Sequence, residues 1–134
     1  MTVSKKEIII TGGAGFIGFH LAKSLVKLNY KVTIWDDLSR GKLDNELKQL
    51  LKNKNINFLK INLKNKINIK KLNISHIFHL AGSVGVENIK KNPFSSFLNN
   101  ISSLVNVINF ANNQGKTIKL ILFSTSEVYS NLIK

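Results

Sequence analysis

Short β-branched runs alternate along this chain with longer stretches whose apolar residues recur at helical spacing. "EIIIT", residues 7–11, is bounded by charge on one side and glycine on the other, and predicts a buried strand. In "FIGFHLAKSLVKLN" the apolar Phe16, Ile17, Leu21, Leu25 and Leu28 fall near helical spacing, which predicts an amphipathic helix. "KVTIW" reads as a second strand, with Asp36 and Asp37 at its C-terminal end, and "KLDNELKQLLKN" as a helix. A third strand is expected near "INFLKIN" and a fourth in "ISHIFHLAG", while the Lys/Asn/Ile-rich residues 64–73 between them fit either a short helix or a loop. Pro93 stands where a helix can begin, since its missing N–H is not needed at the first helical position. That helix is expected to run to about Asn113, with Gly115 just beyond, and "TIKLILFS" supplies a fifth strand.

Strands alternating with helices imply parallel pairing through right-handed crossovers. The expected product is an open, doubly wound α/β sheet with strand order 3-2-1-4-5, formed as one domain over residues 1–134. Ligands of such sheets bind beyond the carboxyl ends of the strands, where the strand order reverses. The glycine turn, the two aspartates, "HLAG" and "STSE" all fall at that end.

Composition adds little to this and excludes more. Hydrophobic residues make up 43% of the chain with a single proline, so a disordered protein is excluded. There is no cysteine, hence neither a disulfide framework nor a thiolate zinc site. The run after the N-terminal lysines is broken at once by "TGGAG", unlike a signal peptide, and no stretch is long enough to span a membrane. The chain therefore reads as soluble and cytoplasmic. A net charge of +13 raises nucleic acid as a partner, but there is one arginine, Arg40, and the lysines are scattered among Asn and Ile with almost no aromatics between them. A compositional bias is the simpler account, with attraction of an anionic small molecule as the remaining one.

"TGGAGFIG" holds Gly13, Gly15 and Gly18 in G-x-G-x-x-G spacing, and Gly12, Gly15 and Gly18 in G-x-x-G-x-x-G spacing. Alone such a string is weak; here a strand precedes it, a helix follows, and an acid ends the next strand. Glycine lets the backbone approach a pyrophosphate without a Cβ in the way, and the helix N-terminus favours the negative charge. Asp36 can then accept from both ribose hydroxyls and would repel a 2′-phosphate, which favours NAD over NADP. Arg40 and Lys42 temper that preference, because a nearby cation could accommodate the extra phosphate. The alternative is a plain βα turn that packs closely.

Together "TGGAGFIG", "WDDLSRG", "FHLAG" and "STSEVY" resemble the NAD-dependent sugar-nucleotide epimerase/dehydratase family of extended short-chain dehydrogenase/reductases, over Ile8 to Tyr129. The resemblance implies a Rossmann-like sheet, truncated before the later strands and the substrate-binding region. It implies that Gly12, Gly15 and Gly18, with Phe16 and Ile17 between the last two, hold the pyrophosphate of NAD, and that Asp36 holds the adenosine ribose with Asp37 beside it. Asn62 falls where the family usually has an Asp that contacts the adenine amino group, so that contact should be weakened. Leu80, Ala81 and Gly82 would line the cofactor, and Asn99 would be the helix Asn that orders the strand ends. His76 and His79, three apart on a strand, face opposite sides and cannot chelate together, so they and His20 are read as structural and no metal is expected.

In the same family Thr125 would bond the sugar C4 oxygen while hydride leaves C4, and Glu127 matches the base that, in dehydratase and decarboxylase relatives carrying Thr-Ser-Glu, acts at C5 once C4 is a ketone. The alternative for "STSE" is a turn or capping cluster at a strand end. The family's principal base is a Tyr with a Lys four residues on. Here Tyr30 is followed by Ile34 and Tyr129 by Ile133, so that pair is missing. The expectation is a truncated or split relative, inactive alone, which takes a nucleotide-sugar substrate only when completed by a missing segment or a complementing chain. Epimerisation, dehydration and decarboxylation all stay open, and a non-catalytic dinucleotide-binding or assembly module is the alternative. Without its usual covering, the sheet and the helix from Pro93 should expose apolar surface, favouring low stability or self-association.

Overall fold

The computed structural model of the chain describes residues 6–83 and 86–124. Five parallel strands, β1 (Glu7–Thr11), β2 (Lys31–Asp36), β3 (Ile56–Lys60), β4 (Ile74–His79) and β5 (Lys119–Leu122), form one sheet in the order β3-β2-β1-β4-β5. Ile8, Ile9 and Ile10 of the central strand are all buried because both faces of the sheet are covered. Successive side chains point to opposite faces, so Ile8 and Ile10 join one cluster with Ala22 and Val26 of α1 (Phe16–Lys27), and Ile9 joins another with Val107 and Phe110. Removing each such isoleucine from water is worth roughly 1.5–3 kcal/mol. The expected strand order and doubly wound architecture are therefore observed.

The apolar face expected of α1 needs correction. Gly18, Ala22 and Val26 are its buried residues, Leu21 and Leu25 pack only partly, and Phe16, Ile17 and Leu28 are 81%, 59% and 69% exposed. Small residues spaced four apart let the helix lie close on the sheet, and this rotates the bulkier side chains off the core. Two of them, Phe16 and Ile17, stand instead at the wall of the crevice described below.

Helix α2 (Asn45–Leu50) is shorter than its pattern, because the Asp44 side chain accepts from the Leu47 N–H at 2.8 Å and starts the helix there. Residues 64–73 form no regular element, yet Ile67, Ile69 and Leu72 pack against the core cluster that holds Trp35, and the Leu72 N–H donates to the Gln114 side-chain oxygen. A short helix, α3 (Val86–Lys91), separately precedes α4 (Pro93–Asn112), which starts on Pro93 as expected. No charged residue occurs in α4, and its outer face exposes Phe94, Phe97, Leu98, Ile101 and Val105. Uncovered apolar surface was expected there. Among the described residues no helix is long and apolar enough to cross a membrane.

Candidate functional site

Beyond the carboxyl ends of β1, β2, β3 and β4 lies an open crevice of about 670 Å³, within the roughly 300–1,000 Å³ common for small-molecule sites. Its floor is the glycine turn. Gly12 adopts φ +69°, and a Cβ there would stand 2.8 Å from the Ala81 nitrogen, so only glycine allows the β1 and β4 ends to approach so closely. A Cβ on Gly18 would stand 2.5 Å from both the Gly12 carbonyl oxygen and the Gly13 Cα, which ties the first turn of α1 directly to the loop before it.

Gly15 is the N-cap of α1 and brings no side chain to its orphan N–H groups; no acidic residue lies in the first turn. The backbone donors around Phe16, Ile17 and Gly18 thus open on the crevice with the positive end of the helix dipole behind them. Such a terminus suits an anion.

Asp36 flanks this turn at the end of β2. Its Oδ2 accepts from the Ala14 N–H at 3.0 Å and its Oδ1 from the Leu38 N–H at 2.8 Å. A carboxylate has about four acceptor positions, so acceptor capacity remains toward the crevice, which Asp36 lines. Leu38 has φ +60°, a conformation costing a non-glycine residue roughly 1–2 kcal/mol. The Asp36 hydrogen bond holds it there. Asp37 lines the crevice beside it: burial works to raise its carboxyl, but hydrogen bonds from the Ser39 hydroxyl and N–H, together with the positive charge of Lys64, more than offset this, leaving it below its ordinary 3.8.

The opposite wall comes from the continuation of β4, where Leu80, Ala81 and Gly82 all line the crevice. Thr11 fixes that continuation. Its carbonyl accepts from the Leu80 N–H at 3.1 Å, and its Oγ1 accepts from the Ala81 N–H at 3.2 Å while lying 2.8 Å from His79 Nδ1. His79 is 3% exposed, and burial lowers its pKa from 6.5. Below pH 6.5 the unfolded chain binds a proton that the native imidazole resists, so stability contributed by neutral His79 is present above that pH and is lost as pH falls toward the lowered value. The melting temperature should drop between pH 7 and pH 5 by roughly 2–5 °C more than in a His79→Gln variant; parallel curves for the two proteins would refute this origin.

His76 sits apart, its Nδ1 2.9 Å from Ser75 Oγ and its ring stacked on Phe78. His20 is exposed on α1, with its ring edge-on to Phe16 and Phe19. Among the described residues no group of three potential ligands gathers for a metal.

The strand-ordering Asn also moves by one residue. Among the described residues it is Asn100 that receives the Ser83 N–H at 2.6 Å and donates to the Ser83 carbonyl at 3.3 Å, while Asn99 beside it lines the crevice. Adjacent helical residues point about 100° apart, so the choice between two asparagines depends on helix phase. The rest of the predicted cofactor set, including Asn62, is brought to this one crevice. Thr125, Glu127 and Tyr129 lie outside the described residues.

A parallel sheet in this order, with a glycine turn at the switch between β1 and β4, defines a Rossmann-like α/β protein. The chain belongs to the GDP-mannose 4,6-dehydratase family of sugar-nucleotide epimerases and dehydratases, whose profile matches residues 9–133. It is 39% identical over 127 residues to UDP-N-acetyl-alpha-D-glucosaminuronate decarboxylase of Bacillus cytotoxicus, covering 93% of this chain and 38% of that protein. Among solved structures it resembles the UDP-Glc/GlcNAc 4-epimerase of Campylobacter jejuni (TM-score 0.83, 26% identity, 96% of this chain and 40% of that one). It also resembles an NAD-dependent NDP-hexosamine 5,6-dehydratase of tunicamycin biosynthesis (TM-score 0.78, 28% identity, 97% and 40%). The chain thus spans about two-fifths of the length of these relatives.

Proposed function

We propose that this chain binds NAD and supplies the cofactor half of a sugar-nucleotide epimerase, dehydratase or decarboxylase. One observation carries the reading: an uncapped helix N-terminus and a carboxylate one strand away open on the same crevice, in a chain whose relatives include an NAD-dependent enzyme. The residues fit the group. A Cβ-free turn leaves room for a diphosphate against the first-turn N–H groups, and Asp36 accepts the adjoining ribose hydroxyls. A 2′-phosphate would meet the Asp36 charge, which disfavours NADP, while Arg40 and Lys42 on the same wall moderate the difference.

When bound, NAD would take hydride from the sugar C4. This chain's own part is then to bind and orient: Leu80, Ala81 and Gly82 form the wall along which the nicotinamide end would run. Thr125 would bond the C4 oxygen and, were the reaction a dehydration, Glu127 would take the C5 proton. Turnover also needs a proton acceptor for the C4 hydroxyl, and the Tyr-x-x-x-Lys pair that supplies it in the family does not occur in this sequence. Turnover by residues 1–134 alone is accordingly not expected, and a non-catalytic NAD-binding module is the second reading.

Calorimetric titration tests the binding claim. NAD should bind at least about tenfold more tightly than NADP, a difference of 1.4 kcal/mol. Absence of heat with both dinucleotides would remove the proposal. A complementing segment that carries the Tyr-x-x-x-Lys pair, added in trans, separates the two readings, since sugar-nucleotide turnover excludes the non-catalytic one.

A further inference from the structure

The strands of a parallel sheet all start at one end, so the segments leading into β1 to β5 gather there, opposite the crevice. The registers Glu7↔Lys31, Val32↔Ile56, Glu7↔Ile74 and His76↔Lys119 set the five starts level to within about two residues, roughly 7 Å. Lys6 precedes β1, and Lys27 and Lys31 flank the turn into β2. Lys52 and Lys54 lie in the turn into β3, Lys70 and Lys71 before β4, and Lys116 and Lys119 at the entry to β5. All nine are exposed. Lysines recur on every side of the molecule, but acids do not: Asp36, Asp37 and Asp44 stand at the carboxyl end or in the loop leaving it, and Glu46 in the first turn of α2. Among the described residues the amino end holds one acid, Glu7, whose side chain is 13% exposed, accepts from the Thr33 hydroxyl and lies 4.0 Å from Lys31. The carbonyl ends of α1 and α4 face the same way, yet roughly half a negative charge each leaves the lysines in excess. One turn adds apolar surface. Asn29 takes φ +65°, its N–H donating to the Val26 carbonyl at 2.9 Å and the Tyr30 N–H to the Leu25 carbonyl at 3.0 Å, which closes α1 tightly. On either side of it Leu28 and Tyr30 are 69% and 47% exposed, between Lys27 and Lys31.

We propose that the amino end of the sheet docks on an anionic phospholipid membrane, with the turn of Leu28 and Tyr30 entering the headgroup layer. Charge complementarity carries the attraction, since each lysine near such a surface strengthens binding by about fivefold. The exposed leucine and tyrosine supply the second, apolar signal that interfacial binding needs, and a tyrosine suits the boundary between headgroups and acyl chains. Nucleic acid fits this end less well. Its cations are all lysines, Arg40 lying at the other end, and Tyr30 is the one aromatic residue among them, so neither bidentate base reading nor successive stacking is offered. The level strand starts present a broad face rather than a groove. With that face on lipid the crevice opens away from it, so the inference is independent of the dinucleotide reading.

Sedimentation with lipid vesicles is the test. Vesicles of phosphatidylcholine containing about one-third phosphatidylserine should bind the chain at least about tenfold more tightly than phosphatidylcholine alone, and the excess should vanish as salt rises from about 0.1 to 0.5 M. Lys54→Glu with Lys70→Glu, one on each side of β1, should weaken binding by at least about tenfold. Lys90→Glu with Lys91→Glu makes the same change of charge on α3, which follows the carboxyl end of β4, and should cost no more than about twofold. A strand's length, roughly 17 Å, separates the two ends and exceeds the Debye length of about 10 Å. Leu28→Ser with Tyr30→Ser should cost about fivefold. Equal binding of the wild-type chain to neutral and anionic vesicles overturns the inference whether or not the variants fold. Among variants shown by thermal melting to fold, equal losses in the two charge reversals, or unchanged binding without Leu28 and Tyr30, overturn it as well. Single-stranded polyuridylate bound more tightly than the anionic vesicles, at equal phosphate concentration and salt, assigns the face to nucleic acid instead and overturns the membrane.

Discussion

Gly18→Ala should lower the melting temperature by roughly 10 °C and weaken NAD binding by at least about thirtyfold. The added methyl meets backbone on two sides, 2.5 Å from the Gly12 oxygen and the Gly13 Cα, and neither can yield as the end of a flexible side chain would. Accommodating it means moving the first turn of α1 away from the loop. The same loop sets the spacing of the β1 and β4 ends through Gly12, whose own missing Cβ faces Ala81, so the displacement spreads into the crevice. Overpacking of this kind costs on the order of 1–3 kcal/mol. The phosphate site suffers further, since its N–H groups must converge on one anion. Thermal melting and calorimetry on the same preparation check both parts. An alanine variant that melts within a degree or two of wild type and binds NAD normally would show that the turn tolerates the methyl, and that the close approach has no functional consequence.

The second large effect is expected at Asp36. Replacement by alanine removes the acceptors of two backbone N–H groups, Ala14 and Leu38, as well as those offered to the ribose. Hydrogen bonds to a charged group are worth roughly 1.5–3 kcal/mol each, so NAD affinity should fall by at least about a hundredfold. Stability should fall too, because Leu38 then keeps its positive φ without the bond that holds it. Asp36→Asn, which keeps one acceptor oxygen, should give an intermediate loss of affinity. Unchanged NAD affinity in the alanine variant would separate Asp36 from the ligand and leave it a purely structural tether of the turn.

How much of this site was legible in the chain differs residue by residue. The β1 run "EIIIT" and the glycines after it were readable, because a strand buried on both faces leaves an unbroken apolar run and a tight βα turn demands glycine. Pro93 marked the start of α4, since its geometry suits only the first helical turn. The pattern of apolar residues in α1 misled, because the helix approaches the sheet through its smallest residues, and two of the bulky ones it displaced, Phe16 and Ile17, stand on the crevice wall. The division of labour between Asn99 and Asn100 was equally invisible, depending on the rotation of α4 about its axis.

By itself, then, the order of residues determined the strand sequence, the crossover pattern and the gathering of glycines and acids at one end of the sheet. These follow from local periodicity and from chain connectivity, both of which are written along the backbone. Only the tertiary structure decided what each polar atom does there. Asp36 is already committed to two backbone N–H groups, Thr11 joins the ends of β1 and β4 through His79 and Ala81, and the Asn62 oxygen is spent on Lys64. The reason is that hydrogen bonds are allotted by distance and direction. Partners up to 70 positions apart, such as Thr11 and Ala81, meet only after the sheet has assembled.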